Sequence, residues 1–513
     1  MAQLKKISKA LISVFDKEGL DDILSRLAAD GVKFISTGGT RAFIEQLGYP
    51  CEAVEDLTGY PSILGGRVKT LHPKVFGGIL GRRDNEGDVA TMAEMAIPAI
   101  DLVIVDLYPF EATVASGASH EDIIEKIDIG GISLIRAAAK NFADVAIVAS
   151  KAQYSLLLEM LKEHGASTTA QERALLAREA FAVSSGYDTA IFNYMATVTA
   201  EPTPDTFRMA VNHAKDLRYG ENPHQQARFY GDFDAMFEQL HGKEVSYNNL
   251  LDIDSAVSLI DEFADDDNVT CAILKHNNAC GVASRGSVAE AWRDALAGDP
   301  VSAFGGVIVM DHAVDADAAA EIGKIFFEVI IAPDYSDEAM AILTQKKNRI
   351  ILRRKPCERP ACVVRSILNG VLSQQRDTKV ETAEDLKVVS GELDDKKVAD
   401  MLFANKLVKH SKSNAIVIAR DGMLLGSGVG QTSRVDALKQ AIAKAESFGF
   451  DTHGATLASD AFFPFADCVE IAHAAGIDSI IQPGGSIRDN DSVEYCQANG
   501  MTMVMTGFRH FRH

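Results

Sequence analysis

"ALISVFDKEGLDDILSRLAADGVKFIST", residues 10–37, sets the fold class of the N-terminal part of the chain. Two short apolar runs flank a segment in which apolar residues recur every three or four positions, and Gly31 follows that segment. Short apolar runs are typical of buried strands, and the spacing between them is typical of an amphipathic helix that ends at a glycine. The stretch therefore predicts a strand–helix–strand unit.

The alternation of strand and helix patterns continues along the chain. "DLVIVDL" (101–107) and "DVAIVAS" (144–150) predict buried strands, whereas "EDIIEKI" (121–127) and residues 153–195 have helical spacing. Repeated units of this kind favour a parallel sheet with helices on its faces. We therefore predict an α/β domain with a mainly parallel sheet.

A linker is predicted at residues 197–207, "TVTAEPTPDTF", where two prolines and several threonines interrupt the periodicity. We place a domain boundary there, which gives domains over residues 1–200 and 201–513. A chain of 513 residues is long enough for about three structural units of ordinary size. The second domain is therefore expected to contain a further subdivision.

The second domain shows the same alternation of strand and helix patterns twice. The first copy ends in the segment 315–330, which we predict to be a single helix, and residues 414–476 repeat the order strand, helix, strand, helix. The two copies share the order of their strands and helices but few identical residues. It predicts two similar α/β halves that meet at about residues 375–395, with a ligand cleft between them.

Charge limits the classes of partner. Lys and Arg number 51 against 72 Asp and Glu, which gives a net charge of −21. Such a charge repels nucleic acid and anionic membranes unless basic residues are concentrated locally. Residues 346–359, "KKNRIILRRKPCER", are concentrated in this way, but a strand with a solvated basic face is the favoured interpretation. We expect neither a nucleic acid nor a membrane as a partner.

Targeting and metal signatures are missing from the sequence. The N-terminal residues lack the apolar core of a signal peptide, and no run of about 18 apolar residues occurs, so we expect a cytoplasmic protein. The seven cysteines are scattered without a CxxC pair, and no HExxH, HxE or PCxxC pattern is present. These absences disfavour disulfides, a zinc site and metal-activated water. The P-loop pattern GxxxxGK[ST] is also missing.

A glycine turn in the first domain is a candidate phosphate site. "STGGT" (36–40) follows a predicted strand and leads into a helix, and such turns offer free backbone N–H groups to an anion. Glycine at this place is also common for packing alone. The basic loop "GGRVKTLHPK" (65–74) is a second polar segment in the same domain, and together the two favour a sugar-phosphate ligand.

Further polar side chains follow predicted strands and turns. Tyr108 lies in "DLYPF", whereas Asp128 and Lys140 bracket "IDIGGISLIRAAAK". Residues at the carboxyl ends of parallel strands face the ligand crevice of an open α/β sheet. A buried Tyr or Asp at such a place is also a frequent structural hydrogen-bonding group. Both interpretations stay open for each residue.

In the second domain, Lys275 and His276 end the apolar run "VTCAILKH". A neighbouring cation keeps an imidazole neutral near pH 7, so the pair suits proton removal from a nitrogen nucleophile and stabilisation of an oxyanion, as in acyl or formyl transfer. The alternative is that strand side chains alternate, which would turn only one of the two towards the cleft. "LRYGENPHQ" (217–225) adds a dense group of polar residues.

These motifs resemble a bifunctional purine-biosynthesis family that combines aminoimidazole carboxamide ribonucleotide (AICAR) formyltransferase with inosine monophosphate (IMP) cyclohydrolase. The matching motifs occur in family order along nearly the whole chain: "SVFDKEG", "STGGT", "GGRVKTLHP", "DLYPF", "IDIGG", "LIRAAAKN", "LRYGENPHQ", "LKHNNACG", "SAFGG", "GSGVGQTSR" and "ASDAFFPF". The resemblance implies a Rossmann-like N-terminal domain of the methylglyoxal-synthase type. It also implies a C-terminal domain of two cytidine-deaminase-like α/β halves that lack zinc.

The resemblance also implies roles for individual residues. For formyl transfer it implies His276 as base, Lys275 as electrostatic partner and supporting polar groups at Asn414 and Asp460. For ring closure it implies Lys69, Tyr108, Asp128 and Lys140. The residues implied in ligand binding are Ser13, Lys17, Thr37, Gly38, Gly39, Thr40, Arg67, Thr70, Arg218, Tyr219, His224, Glu328, Arg434 and Arg509.

The implied ligands are AICAR, its formylated product FAICAR, IMP and the co-substrate 10-formyltetrahydrofolate. No zinc is implied, and a bound monovalent cation stays open. The family implies a homodimer with shared formyltransferase sites. This chain departs from the family pattern at Ala279, where proline is usual, and at Glu328, where aspartate is common.

Two other classes remain as alternatives. One is a lyase or nucleobase deaminase that acts on a phosphate-bearing ligand with the same folds, although the missing zinc ligands count against a deaminase. The other is a non-catalytic nucleotide- or RNA-binding protein that uses residues 346–359, against which the acidic balance counts.

Overall fold

The computed structural model describes residues 4–199 and 205–513. They form two compact units that divide between Asn212 and His213. The predicted domain boundary at residues 200 and 201 falls outside the described residues, so the predicted domain limits stay a prediction.

The first unit is built on a parallel sheet of five strands in the order β4-β3-β2-β5-β6, as the strand–helix alternation predicted. A separate antiparallel pair joins β1 to β7. The strands are β1 (Lys5–Lys6), β2 (Lys9–Ser13), β3 (Lys33–Ser36), β4 (Cys51–Ala53), β5 (Leu102–Val105), β6 (Ala146–Val148) and β7 (Ser167–Thr168).

Ten helices accompany these strands in the described part of the first unit. They are α1 (Leu20–Ala29), α2 (Gly38–Gln46), α3 (Val54–Thr58), α4 (Pro73–Leu80), α5 (Glu86–Glu94), α6 (Phe110–Ala115), α7 (His120–Ile124), α8 (Gly130–Lys140), α9 (Tyr154–His164) and α10 (Ala170–Val198). The helix α1 buries Leu20, Ile23, Leu24 and Leu27, which recur at the predicted spacing. The helical region predicted over 153–195 is interrupted by β7, because Gly165, with φ of 62°, ends α9.

The second unit contains a mixed sheet of twelve strands in the order β10-β15-β14-β13-β11-β12-β20-β19-β21-β22-β23-β18, and two separate hairpins, β8–β9 and β16–β17. The strands are β8 (Ala214–Leu217), β9 (Ala227–Tyr230), β10 (Phe237–His241), β11 (Val269–Lys275), β12 (Asn278–Arg285), β13 (Val307–Met310), β14 (Val329–Ala332), β15 (Ile350–Arg354), β16 (Cys362–Ile367), β17 (Gly370–Gln375), β18 (Lys387–Ser390), β19 (Ile416–Arg420), β20 (Met423–Gly428), β21 (Thr456–Ser459), β22 (Ser479–Gln482) and β23 (Thr502–Met505).

The order of the strands shows an internal duplication. Read from either edge of the sheet to its centre, both halves have an antiparallel edge strand, then three parallel strands, then an antiparallel hairpin. The two similar halves are therefore confirmed, whereas their cytidine-deaminase-like character stays a prediction.

The helices of the second unit are α11 (Phe233–Met236), α12 (Tyr247–Ile260), α13 (Val288–Gly298), α14 (Ala316–Ile322), α15 (Asp337–Leu343), α16 (Asp395–Lys409), α17 (Arg434–Ser447), α18 (Asp467–Ala474) and α19 (Asp489–Ala498).

Glycines let helices approach the two central strands, β12 and β20. A Cβ atom on Gly281 would lie 1.9 Å from the carbonyl oxygen of Ala295 in α13, and one on Gly428 would lie 1.8 Å from that of Ala437 in α17. No side chain fits at such distances. The same strand–helix contact thus recurs in both halves at the centre of the sheet.

The prediction of one helix over residues 315–330 is wrong. The helix α14 ends at Ile322, and the end of that segment belongs to β14, whose residues are all buried between parallel neighbours. An apolar run in a fully buried strand has no alternation, so its period does not distinguish it from a buried helix. Glu328 consequently lies directly before a strand.

An ion cluster centred on the buried His510 holds the C-terminal residues of the second unit. Nδ1 of His510 lies 2.6 Å from Oδ2 of Asp377, and its Nε2 lies 2.8 Å from Oε1 of Glu381. Burial by itself lowers the pKa of His510, but the hydrogen bonds with the two carboxylates outweigh it and raise the pKa to about 9. The imidazolium is therefore the form that the folded chain stabilises.

This cluster predicts a pH-dependent contribution to stability. Because the pKa of His510 rises from 6.5 to about 9 on folding, its contribution is complete below pH 6.5 and is lost as the pH rises to about 9. We expect His510→Gln to lower the free energy of unfolding most at pH 6 and least above pH 9, measured by urea unfolding. The exposed His513→Gln is the control, and a loss that did not depend on pH would contradict the assignment.

Candidate active sites

The predicted phosphate turn of the first unit forms around the start of α2. The Oγ atoms of Ser13 and Thr37 lie 3.2 Å apart, and the hydroxyl of Thr40 donates to the carbonyl of Val14 at 2.9 Å and accepts from its N–H at 3.1 Å. Helix α2 begins at Gly38, so the glycines provide its first turn. The structure thus brings Ser13 together with residues 37–40, where backbone N–H groups of a helix N-terminus suit an anion.

Asp106 holds the loop that carries Lys17 and was missed as a site residue. Its carboxylate accepts hydrogen bonds from the backbone N–H groups of Phe15 and Asp16, the latter at 2.9 Å. Lys17 in turn donates to the carbonyl of Phe15 at 2.9 Å. The signal in the sequence is the acid directly after β5 in "DLYPF", two positions before Tyr108.

Asp128 lies at the start of α8. Its Oδ1 accepts from the N–H of Gly131 at 2.6 Å, and a Cβ atom on Gly131 would lie 2.8 Å from its Oδ2. Burial raises the pKa of Asp128 above its ordinary value, against the hydrogen bonds from Gly131 and Ile132 and the positive charge of Lys69. A buried carboxyl group with a raised pKa is a candidate for proton transfer.

Tyr108 and Thr70 also lie around the start of α8. The ammonium of Lys126 lies 5.6 Å from the centre of the Tyr108 ring. Two positions after Lys126, the backbone N–H of Asp128 donates to the hydroxyl of Tyr187. The Thr70 hydroxyl would lie 3.2 Å from a Cβ atom on Gly130.

Arg67 pairs with Glu125 in the segment before Asp128, whereas Lys140 stands apart from the residues around the start of α8. Lys140 is the last of the 11 residues of α8, so roughly 16 Å of helix separates it from the helix start. The described contacts do not join Lys140 to Asp128.

The Lys275–His276 pair lies at the tip of the hairpin β11–β12. Lys275 is the last residue of β11 and pairs with Asn278, so His276 and Asn277 form the turn between the strands. The Nζ atom of Lys275 donates to the carbonyl of Phe304 at 2.8 Å, and the His276 side chain is exposed. The predicted alternation of strand side chains does not apply here, because His276 lies outside the strand.

Asn414 and Asp460 are joined by a buried arginine. Nη2 of Arg434 donates to Oδ1 of Asn414 at 3.0 Å, and its Nη1 pairs with Oδ1 of Asp460 and donates to Oγ of Ser459 at 3.0 Å. Asp460 is 1% exposed, and its Oδ2 has no hydrogen-bond partner in the part of the chain that the structure describes. The guanidinium of Arg434 is therefore neutralised by Asp460 while it holds the side chain of Asn414 by a hydrogen bond.

The turn and this cluster come from different halves of the sheet and are linked. The backbone N–H of Lys412 donates to Oδ1 of Asn278 at 3.0 Å, which joins the hairpin tip to the segment before Asn414. The N–H of His510 donates to the carbonyl of Asp460 at 3.0 Å and brings the C-terminal residues to the same place. Next to it, the guanidinium of Arg509 lies 4.4 Å from the centre of the Phe511 ring.

Other predicted residues lie elsewhere in the described contacts. Arg218, Tyr219 and His224 belong to the connection of the hairpin β8–β9, where Arg218 and His224 are exposed and line an open groove. Glu328 pairs with Lys243 at 2.5 Å. The structure of one chain does not bring these residues to His276.

Three arginines of the basic stretch 346–359, namely Arg353, Arg354 and Arg359, pair with acids. Arg353 contacts Glu238 at 2.9 Å and Asp334 at 3.1 Å, and Arg354 contacts Asp261 at 2.5 Å. The apolar residues of β15 within the stretch are buried. These three arginines therefore serve local ion pairs, and Arg349 donates to the carbonyls of Gly323 and Ile325, in keeping with the strand interpretation.

The described residues contain neither a cluster of metal-ligating side chains nor a membrane-spanning helix. Across residues 4–199 and 205–513, no three or more His, Cys, Asp and Glu side chains converge as a metal would require. No helix in these ranges is both long and apolar enough to cross a membrane.

Comparison with known families agrees with this arrangement. A family model described as AICARFT/IMPCHase bienzyme matches residues 138–444, and one described as MGS-like domain matches residues 19–133. The chain belongs to the AICARFT/IMPCHase bienzyme family. The first unit accordingly contains an MGS-like domain, and the family carries the formyltransferase and IMP cyclohydrolase activities.

Relatives of the bienzyme family match over the full length. The bifunctional purine biosynthesis protein PurH of Bacteroides thetaiotaomicron is 65% identical and covers 100% of both chains. That of Rhodospirillum rubrum is 48% identical over 99% of both chains. A solved structure, that of ForH, covers 37% of this chain and 99% of its own at 34% identity, with a TM-score of 0.33. The chain is thus a bifunctional enzyme of purine biosynthesis, as its motifs predicted.

The buried pair of Arg434 and Asp460 predicts a large effect on stability. Asp460→Asn keeps the shape of the side chain but leaves a buried guanidinium without its counter-charge, which typically costs about 3–5 kcal/mol. We expect such a loss in urea unfolding. The control Asp436→Ala removes an exposed carboxylate from α17, the helix that begins at Arg434, and should lower the free energy of unfolding by about 1 kcal/mol or less. Equal losses in the two variants would contradict the assigned role of the pair.

Proposed function

We propose that the second unit transfers the formyl group of 10-formyltetrahydrofolate to the 5-amino group of AICAR, with His276 as the base. The observation that carries this proposal is the exposed His276 at a hairpin tip linked to the segment that bears Asn414. Lys275 stands beside it as a fixed cation, held by the carbonyl of Phe304. Asn414 and Asp460 support the site through Arg434.

Formyl transfer exchanges one carbon–nitrogen bond for another and changes no oxidation state. The amino nitrogen of AICAR attacks the formyl carbon, and the oxyanion that forms is stabilised by the positive charge of Lys275. His276 takes a proton from the attacking nitrogen. Collapse of the intermediate breaks the bond between the formyl carbon and the folate nitrogen, which is protonated as it leaves, and yields FAICAR and tetrahydrofolate. An aromatic amine is a weak nucleophile, so positioning and proton removal carry much of the rate.

For the first unit we propose ring closure of FAICAR to IMP. The carboxamide nitrogen attacks the formyl carbon of the same molecule, and the adduct loses water. Asp128, Lys69 and Tyr108 would surround the reacting groups, with Asp128 and Lys69 coupled electrostatically. Ser13, Lys17 and residues 37–40 would bind the phosphate at the start of α2. Intramolecular closure mainly needs the reacting atoms held in place.

The remaining assignments rest on the family resemblance. Lys140 is proposed for ring closure and Arg67 and Thr70 for binding in the first unit. For the formyltransferase ligands we propose Arg218, Tyr219, His224, Glu328 and Arg509, with Arg434 acting through Asn414. We further propose a cytoplasmic enzyme without zinc, and a monovalent cation remains open.

A homodimer is proposed as the working form. The hairpin β16–β17 is exposed along both strands, with Leu368 at its tip 99% exposed and Leu372 56% exposed. A two-stranded hairpin is only marginally stable in water by itself, so a covering partner is favourable.

Separate sites predict separable losses. We expect His276→Ala to lower formyl transfer at least 100-fold, the usual contribution of a general base, while cyclisation of supplied FAICAR is unchanged. Lys69→Ala should lower the cyclisation of FAICAR and leave formyl transfer unchanged. Both reactions are followed by chromatography of the nucleotides and by folate absorbance.

The matched control is His453→Ala, which removes another exposed histidine of the second unit. It should leave both activities unchanged. Loss of both activities in a soluble, folded His276→Ala variant would refute the assignment of separate sites.

A further inference from the structure

The backbone at the tip of the β11–β12 hairpin is held in an unusual conformation. His276 and Asn277 have φ values of 51° and 65°, and Lys275 pairs with Asn278 on either side of them. A two-residue hairpin turn with both central residues at positive φ favours asparagine and glycine. Non-glycine residues are uncommon at positive φ, although histidine and asparagine are enriched among those that adopt it, and the conformation costs free energy. Contacts from outside the hairpin therefore help to hold the turn.

Asp252 on α12 provides that support. Its Oδ1 accepts the backbone N–H of Asn277 at 2.7 Å. With the amide of Asn277 facing these acceptors, its side-chain nitrogen donates to the same oxygen at 3.0 Å and to the carbonyl of Leu251 at 3.2 Å. Two donors of one turn residue thus converge on one carboxylate oxygen, whose acceptor strength is greatest when the group is ionised.

The helix that bears Asp252 is itself rigidly placed. It begins with a reciprocal cap, in which the hydroxyl of Ser246 accepts the N–H of Asn249 and the Asn249 side chain accepts the N–H of Ser246. Ile253 and Ala256 of the same helix are buried in the core beneath β11. The carboxylate is therefore a fixed reference point for the turn.

The charge of Asp252 also acts on His276. Burial raises the pKa of Asp252, whereas the hydrogen bond from Asn277 and the positive charge of His276 oppose that rise. The carboxylate thus lies close enough to the His276 side chain to interact with it electrostatically. This resembles in kind the use of a carboxylate to orient a catalytic histidine, although here it acts through the neighbouring backbone.

We propose that Asp252 is a positioning residue for formyl transfer, which holds the His276–Asn277 turn in its left-handed conformation and so places the imidazole. The proposal rests on the proposed role of His276 as base. It assigns to Asp252 no contact with substrate, so its effect should fall on the rate of the chemical step and spare substrate binding.

Substitutions at Asp252 test this role in the full-length protein. We expect Asp252→Ala to lower kcat for formyl transfer at least tenfold, while KM for AICAR and for 10-formyltetrahydrofolate stays within about twofold. Cyclisation of supplied FAICAR should be unchanged. Asp252→Asn keeps an oxygen acceptor but loses the charge, and should lower kcat by about threefold to tenfold. The control Asp254→Ala removes an exposed carboxylate two positions along α12 and should leave kcat unchanged.

A second-site variant separates the turn from general stability. Glycine adopts positive φ without support, so Asn277→Gly in the Asp252→Ala background should restore most of the lost kcat. A purely structural defect of α12 would not be repaired in this way. Should Asp252→Ala fail to fold, Asp252→Asn with and without Asn277→Gly gives the same comparison.

The outcomes distinguish this inference from the proposed function. Wild-type kcat in Asp252→Ala, or no recovery on adding Asn277→Gly, overturns the positioning role even if His276→Ala is inactive. An equal loss of cyclisation also overturns it. If His276→Ala itself retains formyl transfer, the proposed function fails first, and Asp252 has no base to position.

Discussion

The pairing of β12 with β20 is the contact on which the second unit depends. These strands meet antiparallel at the centre of the twelve-stranded sheet, with Ala283 opposite Met423, and join two halves that share one topology. Gly281 and Gly428 let α13 and α17 pack directly on the two strands, where any side chain would collide with a helix carbonyl. The junction therefore fixes the distance between the first half's hairpin tip and the second half's polar cluster.

The proposed formyltransferase site offers a fixed cation in a strongly acidic chain. Lys275 lies at the hairpin tip, where the N–H of Lys412 bonds to Asn278, while the buried Asp460 neutralises Arg434. Lys275 thus provides a local positive charge against a net charge of −21. In low-dielectric surroundings a few fixed charges at short range outweigh many distant, screened ones.

Much of this could be predicted from sequence because the signals are local. The βαβ pattern of residues 10–37, the two similar halves and the Lys275–His276 pair at a strand end all follow from short-range periodicity. The contact of Lys412 with Asn278 spans 134 positions and leaves no local trace. Asp106 and Asp252 were missed for the same reason, since each acts on the backbone of a distant loop. The false helix at 315–330 arose where burial removed the alternation of a strand.

The central claim is that the reacting amine meets the hairpin tip at the junction of the two halves. A crystal structure of the protein with AICAR and a folate analogue that lacks the transferable formyl group tests it most directly. The account predicts the amino nitrogen within about 2.6–3.2 Å of the His276 imidazole, or one water away, with Asn414 in the same site. Binding of AICAR with its amine away from this turn and His276 left facing solvent would contradict it.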